Sequence, residues 1–202
     1  MPGLLKEQTA IIMARTAGVG LTSVERLGDE GAHVMVTDIQ HEAGAKRGGR
    51  LGEAVADLRA DVMTEHAAEV LLATMVTPFR RLEIMYHNAG AVSDPSPFVD
   101  FSGGFDTPLA RRTISVFWGY KHATRQFHGQ SGGNSTLNTG RIVGLLVAWA
   151  TLGYAAGERA ITGSVGHPKD AAKAAVFPPS DMADYVASAM LPIDGGVGSA
   201  AH

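Results

Sequence analysis

Hydrophobic and polar positions follow two alternating periods along the first half of the chain. Short apolar runs predict four β-strands buried on both faces, over residues 9–14, 33–37, 54–58 and 82–86. Between them, apolar residues recur at helical spacing, first around Leu21, Val24 and Leu27 and again over residues 64–79, where Pro78 ends the pattern. This repetition of strand and helix predicts an α/β fold, a doubly wound parallel sheet in three layers.

The second half of the chain has a less regular pattern. Prolines and glycines between residues 95 and 108 indicate a loop, and a long helix is predicted over 109–127. Further predicted elements are a fifth strand over 136–139, a helix that carries Tyr154, a helix over 168–176 and a short last strand over 190–193. Because no linker or repeat divides the pattern, we expect residues 1–202 to form a single domain.

Composition narrows the function classes. The 202 residues include 45% hydrophobic and 18% charged residues, which is typical of a globular protein. The net charge is −3 and basic residues never occur in runs longer than two, so nucleic acid is not an expected partner. There are no cysteines and no His-x-x-x-His motif, so no metal is expected. Without a signal-peptide pattern or a membrane-length apolar stretch, we expect a cytoplasmic protein.

A glycine turn follows the first predicted strand and leads into a helix. Backbone amides at Gly18, Val19 and Gly20 could hold a pyrophosphate, because unpaired N–H groups and the helix dipole favour an anion. Asp38 ends the second strand, where a carboxylate accepts hydrogen bonds from an adenosine ribose and repels a 2′-phosphate. The pattern therefore predicts NAD as cofactor, with NADP less favoured. Arg15 leaves two alternatives open, a phosphate ligand or a solvated side chain.

Taken together, these segments resemble the short-chain dehydrogenase/reductase family. The matching segments are AGVG at 17–20, Asp38, Asp61-Val62, HNAG at 87–90, VFWGYKHA at 116–123, NTGRIVG at 138–144, Tyr154 and LPIDGG at 191–196. The resemblance implies a Rossmann-like fold, NAD or NADP, and hydride transfer between the nicotinamide and a small alcohol or ketone. It also implies that Asp61 and Val62 lie beside the adenine, and that Asn88, Ala89 and Gly90 support the central strand near the cofactor.

The chain departs from the family at the catalytic group, which combines a serine, a tyrosine, a lysine and an upstream asparagine. Counted from Tyr154, the place of the serine is taken by Arg141 and that of the lysine by Glu158. Aligned back from VFWG, the place of the asparagine is taken by Arg112. By this comparison only Tyr154 is retained. The glycine turn departs as well, since Ala14 stands at its first glycine.

These replacements predict lost or very weak activity. Glu158 follows Tyr154 by one helical turn and would raise a phenol pKa that is normally about 10, whereas a lysine would lower it. Three interpretations stay open: Arg141 and Glu158 pair in an inactive cleft, Arg141 and Tyr154 form an unconventional active site, or the chain is a defective copy. The alternative function is a non-catalytic dinucleotide sensor or an inactive partner of an intact family member.

The chain is also shorter than the family pattern after Tyr154. GERAITGSVG leads almost at once into HPKDAAKAAVF, so the resemblance implies that the sixth strand and the substrate lid are missing. The strand at 190–193 would then either insert beside 136–139 or remain poorly ordered, leaving an exposed sheet edge. We therefore expect marginal stability and self-association, as a homo-oligomer, through the helix over 109–127 and the helix of Tyr154. The sequence does not specify a substrate.

Overall fold

The computed structural model describes residues 3–13, 18–38, 55–59, 64–88, 106–130, 141–144 and 166–183, together with 162, 186, 191, 193 and 195. In chain order the elements are β1 (Thr9–Met13), α1 (Gly18–Asp29), β2 (His33–Asp38), β3 (Val55–Arg59), α2 (Glu65–Val76), β4 (Ile84–His87), α3 (Asp106–Gly129), β5 (Arg141–Gly144) and α4 (Pro168–Val176). A short 3₁₀ turn, Asp181–Ala183, follows α4.

The strands form one parallel sheet in the order β3-β2-β1-β4-β5. From β1 the chain moves outward through β2 to β3, and then crosses back to place β4 on the other side of β1. This order is that of a Rossmann-like sheet, and it confirms the predicted doubly wound fold. The reversal of direction opens a crevice at the carboxyl ends of β1 and β4, where ligands of such sheets bind.

Alternating residues of β1 point into two separate hydrophobic cores. Ala10 and Ile12 pack on the face covered by α1 and α4, with Leu27 and Val176 among their neighbours in that core. Ile11 and Met13 belong to the opposite face, where Leu71 of α2 and Phe127 of α3 lie. Both faces of the central strand are therefore buried, which explains its uninterrupted apolar sequence. Helices on both sides of the sheet make the three predicted layers.

Helix α3 runs antiparallel to β4 and is hydrogen-bonded to both ends of that strand. At the amino end of β4, the Gln130 side chain accepts from the Leu82 N–H at 3.0 Å and donates to the Leu82 carbonyl at 2.6 Å. At the carboxyl end, Ser115 lies within 3.3 Å of His87. Between them, a β-carbon at Gly119 would lie 3.0 Å from Met85 Cε, so the helix approaches the sheet closely here. The first turns of α3 consequently lie at the carboxyl edge.

Two predicted elements differ from the structure. The fifth strand is Arg141–Gly144, not residues 136–139, which lie outside the described residues. Its Ile142 and Val143 pair with Met85 and Tyr86, because an inner strand favours an apolar partner over the polar sequence at 136–139. The last predicted strand, over 190–193, has no strand at its two described positions, 191 and 193. Within the described part of the sheet, β5 is therefore an edge strand.

Candidate functional site

Three parallel strands and one helix start converge at the carboxyl edge of the sheet. β1 ends at Met13, β2 at Asp38 and β4 at His87, and α1 begins at Gly18. The predicted cofactor residues Gly18, Asp38 and Asn88 thus belong to one edge, as the sequence suggested. Asp38 is described through its backbone, as the last residue of β2, paired with Arg59 of β3.

The amino terminus of α1 has the properties of an anion site. Gly18 has a φ of 60°, in the left-handed region that favours glycine. The twelve-residue helix carries no acidic side chain in its first turn, so nothing in that turn offsets the positive end of its dipole. Val19 and Gly20 are the next residues of that turn, and Gly20 is buried. These backbone amides can donate hydrogen bonds to a phosphate group.

Asn88 continues the pairing of β1 and β4 beyond the end of both strands. Its backbone N–H donates to the Met13 carbonyl at 2.8 Å, which fixes Asn88 beside the end of β1. The side chain of Asn88 is half-buried. The other predicted cofactor residues, Asp61, Val62, Ala89 and Gly90, lie outside the described residues, and so do Ala14 and Arg15 of the glycine turn.

A buried histidine, His87, occupies the carboxyl end of β4 and contacts two neighbouring elements. Its Nδ1 lies 3.3 Å from Sδ of Met13 on β1, and its Nε2 lies 3.3 Å from Oγ of Ser115 on α3. The ring also meets Tyr120 edge-on, with 6.5 Å between centroids. His87 is 3% exposed, and burial lowers the pKa of its imidazole to about 4, so it is neutral at pH 7.

A second buried pair holds α1 against the other face of the sheet. Ser23 of α1 donates its hydroxyl hydrogen to Tyr86 Oη at 3.3 Å, one residue before His87. Burial raises the pKa of Tyr86, and the hydrogen bond from Ser23 opposes that shift. A phenol with a raised pKa stays neutral near pH 7 and serves here as a structural partner. The two contacts attach a helix to each face of β4 at its carboxyl end.

Of the predicted catalytic group, Tyr154 and Glu158 lie outside the described residues, whereas the backbone at Arg112 is described. Position 112 lies in α3, one helical turn before Ser115. Since α3 rises about 1.5 Å per residue, position 112 lies roughly 4–5 Å beyond Ser115, toward the carboxyl edge. The helix geometry is therefore compatible with the prediction that Arg112 takes the place of the family's upstream asparagine.

The strand register disagrees with the predicted role of Arg141. Arg141 is the first residue of β5 and pairs with Ile84, the first residue of β4, whereas Gly144 pairs with His87. Three residues of strand span roughly 10 Å, so the Arg141 backbone lies at the opposite edge from the crevice. The earlier assignment counted thirteen residues back from Tyr154, and such a count depends on the length of the connection. Backbone pairing sets the register directly, so we correct the placement of Arg141.

Among the described residues, a side-chain cluster at this edge that the sequence patterns did not predict is formed by Met13, His87 and Ser115. A signal was present, because His87 interrupts an apolar strand directly before the Asn-Ala-Gly segment, and Ser115 precedes an apolar stretch of α3. Among the described residues, no group of three or more His, Asp or Glu side chains could hold a metal ion. Within that same part of the chain, no helix combines the length and apolar composition needed to cross a membrane.

The chain is similar in sequence to several curated proteins, including a synthase and a dehydrogenase. It is 34% identical over 128 residues to a (21S)-21-acetoxyl-apo-melianone synthase of Melia azedarach, covering 60% of this chain and 45% of that protein. It is 28% identical to (+)-borneol dehydrogenase 1 of Salvia officinalis, covering 95% of this chain and 94% of the relative. That second alignment runs over 244 positions, whereas this chain has 202 residues, so the relative carries residues at positions where this chain has none.

Solved structures agree on the fold. The 3-ketoacyl-(acyl-carrier-protein) reductase from Brucella melitensis, complexed with NADH, superposes with a TM-score of 0.81. The superposition covers 96% of this chain and 99% of that one at 18% sequence identity, so it supports the fold alone. The short chain dehydrogenase family model matches residues 8–167, which include β1 to β5 and the crevice between them. The chain therefore belongs to the short chain dehydrogenase family.

Proposed function

We propose that the chain is a nicotinamide dinucleotide-binding relative of the alcohol- and ketone-converting oxidoreductases, with dehydrogenase activity that is lost or very weak. The observation that carries the proposal is the carboxyl edge of β1, β2 and β4, where an uncompensated helix start and the Asp38 backbone meet. One relative is named a (+)-borneol dehydrogenase, and one structural neighbour is complexed with NADH. Both support a hydride-transfer ancestry.

The cofactor in this proposal is NAD in preference to NADP. Asp38 ends β2 beside the crevice, and a carboxylate there binds a ribose 2′-hydroxyl and repels a 2′-phosphate. We expect NADH to bind more tightly than NADPH in calorimetric titration. Asp38→Ala should lower the ratio of NADH affinity to NADPH affinity by about tenfold, the equivalent of one charge-assisted hydrogen bond. Asp29→Ala, at the far end of α1, is the matched control and should leave the ratio unchanged. Preference for NADPH would contradict the assignment and indicate Arg15 as a phosphate ligand.

The weak activity in this proposal rests on Glu158 at the place of the family lysine. The substrate would be a small-molecule alcohol or ketone, in keeping with the names of the relatives. A dinucleotide sensor, or an inactive partner of an intact family member, is the second candidate. A thermal shift with NADH, combined with turnover assays on secondary alcohols, separates the two. Binding with slow turnover supports the residual enzyme, and binding without turnover supports the sensor.

We also propose that the chain, as a single domain, self-associates through α3. Phe117 on this helix is 59% exposed beside Trp118, and exposed aromatic side chains are typical of protein contact surfaces. We expect Phe117→Asp to lower the mean mass in light scattering, with Thr74→Asp, at an exposed position of α2, as the control for added charge. A native chain that remains monomeric at high concentration would contradict this part of the proposal.

A further inference from the structure

The His87 side chain connects three elements at one point of the carboxyl edge. It belongs to β4, it contacts the last residue of β1 through Met13, and it contacts α3 through Ser115. Ser115 is 2% exposed, so both contacts are shielded from water. Polar contacts in such surroundings are costly to leave unmade, because water cannot replace the missing partner.

The two partners determine which nitrogen of the ring carries the hydrogen. A thioether sulfur has no hydrogen to give and can accept only weakly, so the nitrogen facing Met13 is the donor, Nδ1–H. In the neutral ring Nε2 is then an acceptor, and the Ser115 hydroxyl donates to it. Both ring nitrogens are thereby satisfied in one tautomer. In that tautomer the two hydrogen bonds run in one donor-to-acceptor direction, from Ser115 of α3 through the imidazole to Met13 at the end of β1.

Helix α3 is attached to β4 at two ends, and His87 forms the attachment nearer to the crevice. Gln130 holds the far end through two hydrogen bonds to the Leu82 backbone. If the contact of His87 with Ser115 were lost, the first turns of α3 would still be held by packing around Gly119, but no longer in a fixed register with the end of β4. Position 112, one turn before Ser115, and Asn88, the residue after His87, would both be affected.

We propose that His87, as a neutral Nδ1–H imidazole, is the positioning residue that fixes the ends of β1 and β4 and the first turns of α3 around the dinucleotide crevice. The inference rests on the proposed function, since it assigns His87 to the geometry of that binding site. His87 acts through Asn88, Met13 and Ser115 and is not itself assigned a contact with the cofactor.

Replacing His87 with glutamine or asparagine can distinguish the role of Nε2 from that of Nδ1. In His87→Gln the side-chain amide reaches about as far as Nε2 and can accept from Ser115, whereas in His87→Asn it reaches about as far as Nδ1. His87→Leu fills similar space without polar atoms, and Ser115→Ala leaves the ring in place but removes its partner. His122→Leu is the matched control, because His122 is a buried histidine on α3 near Glu65 of α2, away from the edge.

For the binding readout, we expect His87→Leu and Ser115→Ala to raise the NADH dissociation constant by about tenfold, the usual effect of losing one buried hydrogen bond. The NADH dissociation constant of His87→Gln should stay within about threefold of that of the native chain, and that of His87→Asn should be raised as much as in His87→Leu. His122→Leu should leave NADH affinity unchanged. Native affinity in both His87→Leu and Ser115→Ala would overturn the proposal.

A second readout needs no cofactor and keeps the two proposals apart. Nitrogen-15 NMR of the free protein should show His87 with its hydrogen on Nδ1. Hydrogen exchange of backbone amides over residues 113–119 should be faster in Ser115→Ala and His87→Leu and near native in His87→Gln.

If the native chain fails to bind NADH while these results hold, the proposed function is wrong and the positioning role of His87 stands. An Nε2–H tautomer, or unchanged exchange in every variant, would overturn the positioning role, whether or not NADH binds. If His87→Leu does not fold, Ser115→Ala decides both readouts.

Discussion

Acidification from pH 7 to pH 4 is expected to remove about 3 kcal/mol of folding stability through His87 alone. Burial lowers the pKa of His87 to about 4 in the folded chain, against an ordinary value of 6.5 in the unfolded one. Between these values the unfolded chain takes up a proton that the folded chain does not, so protonation favours unfolding. The contribution is fully present above about pH 6.5 and is lost progressively as the pH falls toward 4.

Urea unfolding at several pH values from 7 to 4.5 would measure this effect. The free energy of unfolding of the native chain should fall steeply over this range, whereas that of His87→Gln, which cannot titrate, should change much less. His128→Gln removes an exposed histidine at the end of α3 and should follow the native curve. Acidic groups with lowered pKa values, such as Glu65 beside Lys121 and Asp170 beside the His167 backbone, lose their contributions at lower pH. If His87→Gln were as acid-sensitive as the native chain, the buried neutral state of His87 would be contradicted.

Much of the fold could be predicted because its determinants are local. Buried parallel strands require apolar runs, and β1, β2 and β4 were found within two residues of their predicted bounds. Helix α2 begins after Thr64, which accepts from the Ala67 N–H at 3.2 Å, and ends two residues before Pro78, as its sequence pattern predicted. The fifth strand was misplaced because its pairing with β4 is a long-range property.

The candidate site was less predictable from the sequence because its contacts join distant segments. Gly18 and Asp38 follow directly from a strand–turn–helix pattern, and the structure places both at the expected edge. Met13, His87 and Ser115 come together from β1, β4 and α3, and no spacing rule relates them. The error over Arg141 has the opposite origin. A fixed spacing was applied across the connection from β5 to Tyr154, whereas the pairing of β5 with β4 gives the position of Arg141 in the sheet directly.

Placing a lysine at position 158 is expected to raise the dehydrogenase activity that we propose to be lost or very weak. If Glu158 occupies the place of the family lysine, it disfavours the tyrosinate of Tyr154, and Glu158→Lys should reverse the sign of that interaction. General acid–base transfer contributes about 10²–10⁴ in rate, so we expect NADH production from a simple secondary alcohol to rise by roughly 10². Adding Arg112→Asn should raise it further, because position 112 lies at the carboxyl end of the sheet. Glu158→Gln is the control for loss of charge without gain of a cation.

Adding Arg141→Ser to the Glu158→Lys variant distinguishes the strand register from the spacing argument. With Arg141 at the amino end of β5, a serine there lies roughly 10 Å from the crevice edge and should change turnover by less than about twofold. If Arg141 stood in the catalytic group, the serine would supply a donor for the reacting oxygen, and turnover should rise by about 10²–10³. Tyr154→Phe should abolish whatever activity Glu158→Lys gains.

A native chain that already turns over at an ordinary enzymatic rate, and loses that rate in Tyr154→Phe, would show that Glu158 does not disable the tyrosine. The cation that activates Tyr154 would then have to come from another residue near the crevice. Arg112 is the first candidate, and loss of activity in Arg112→Asn would identify it as the source.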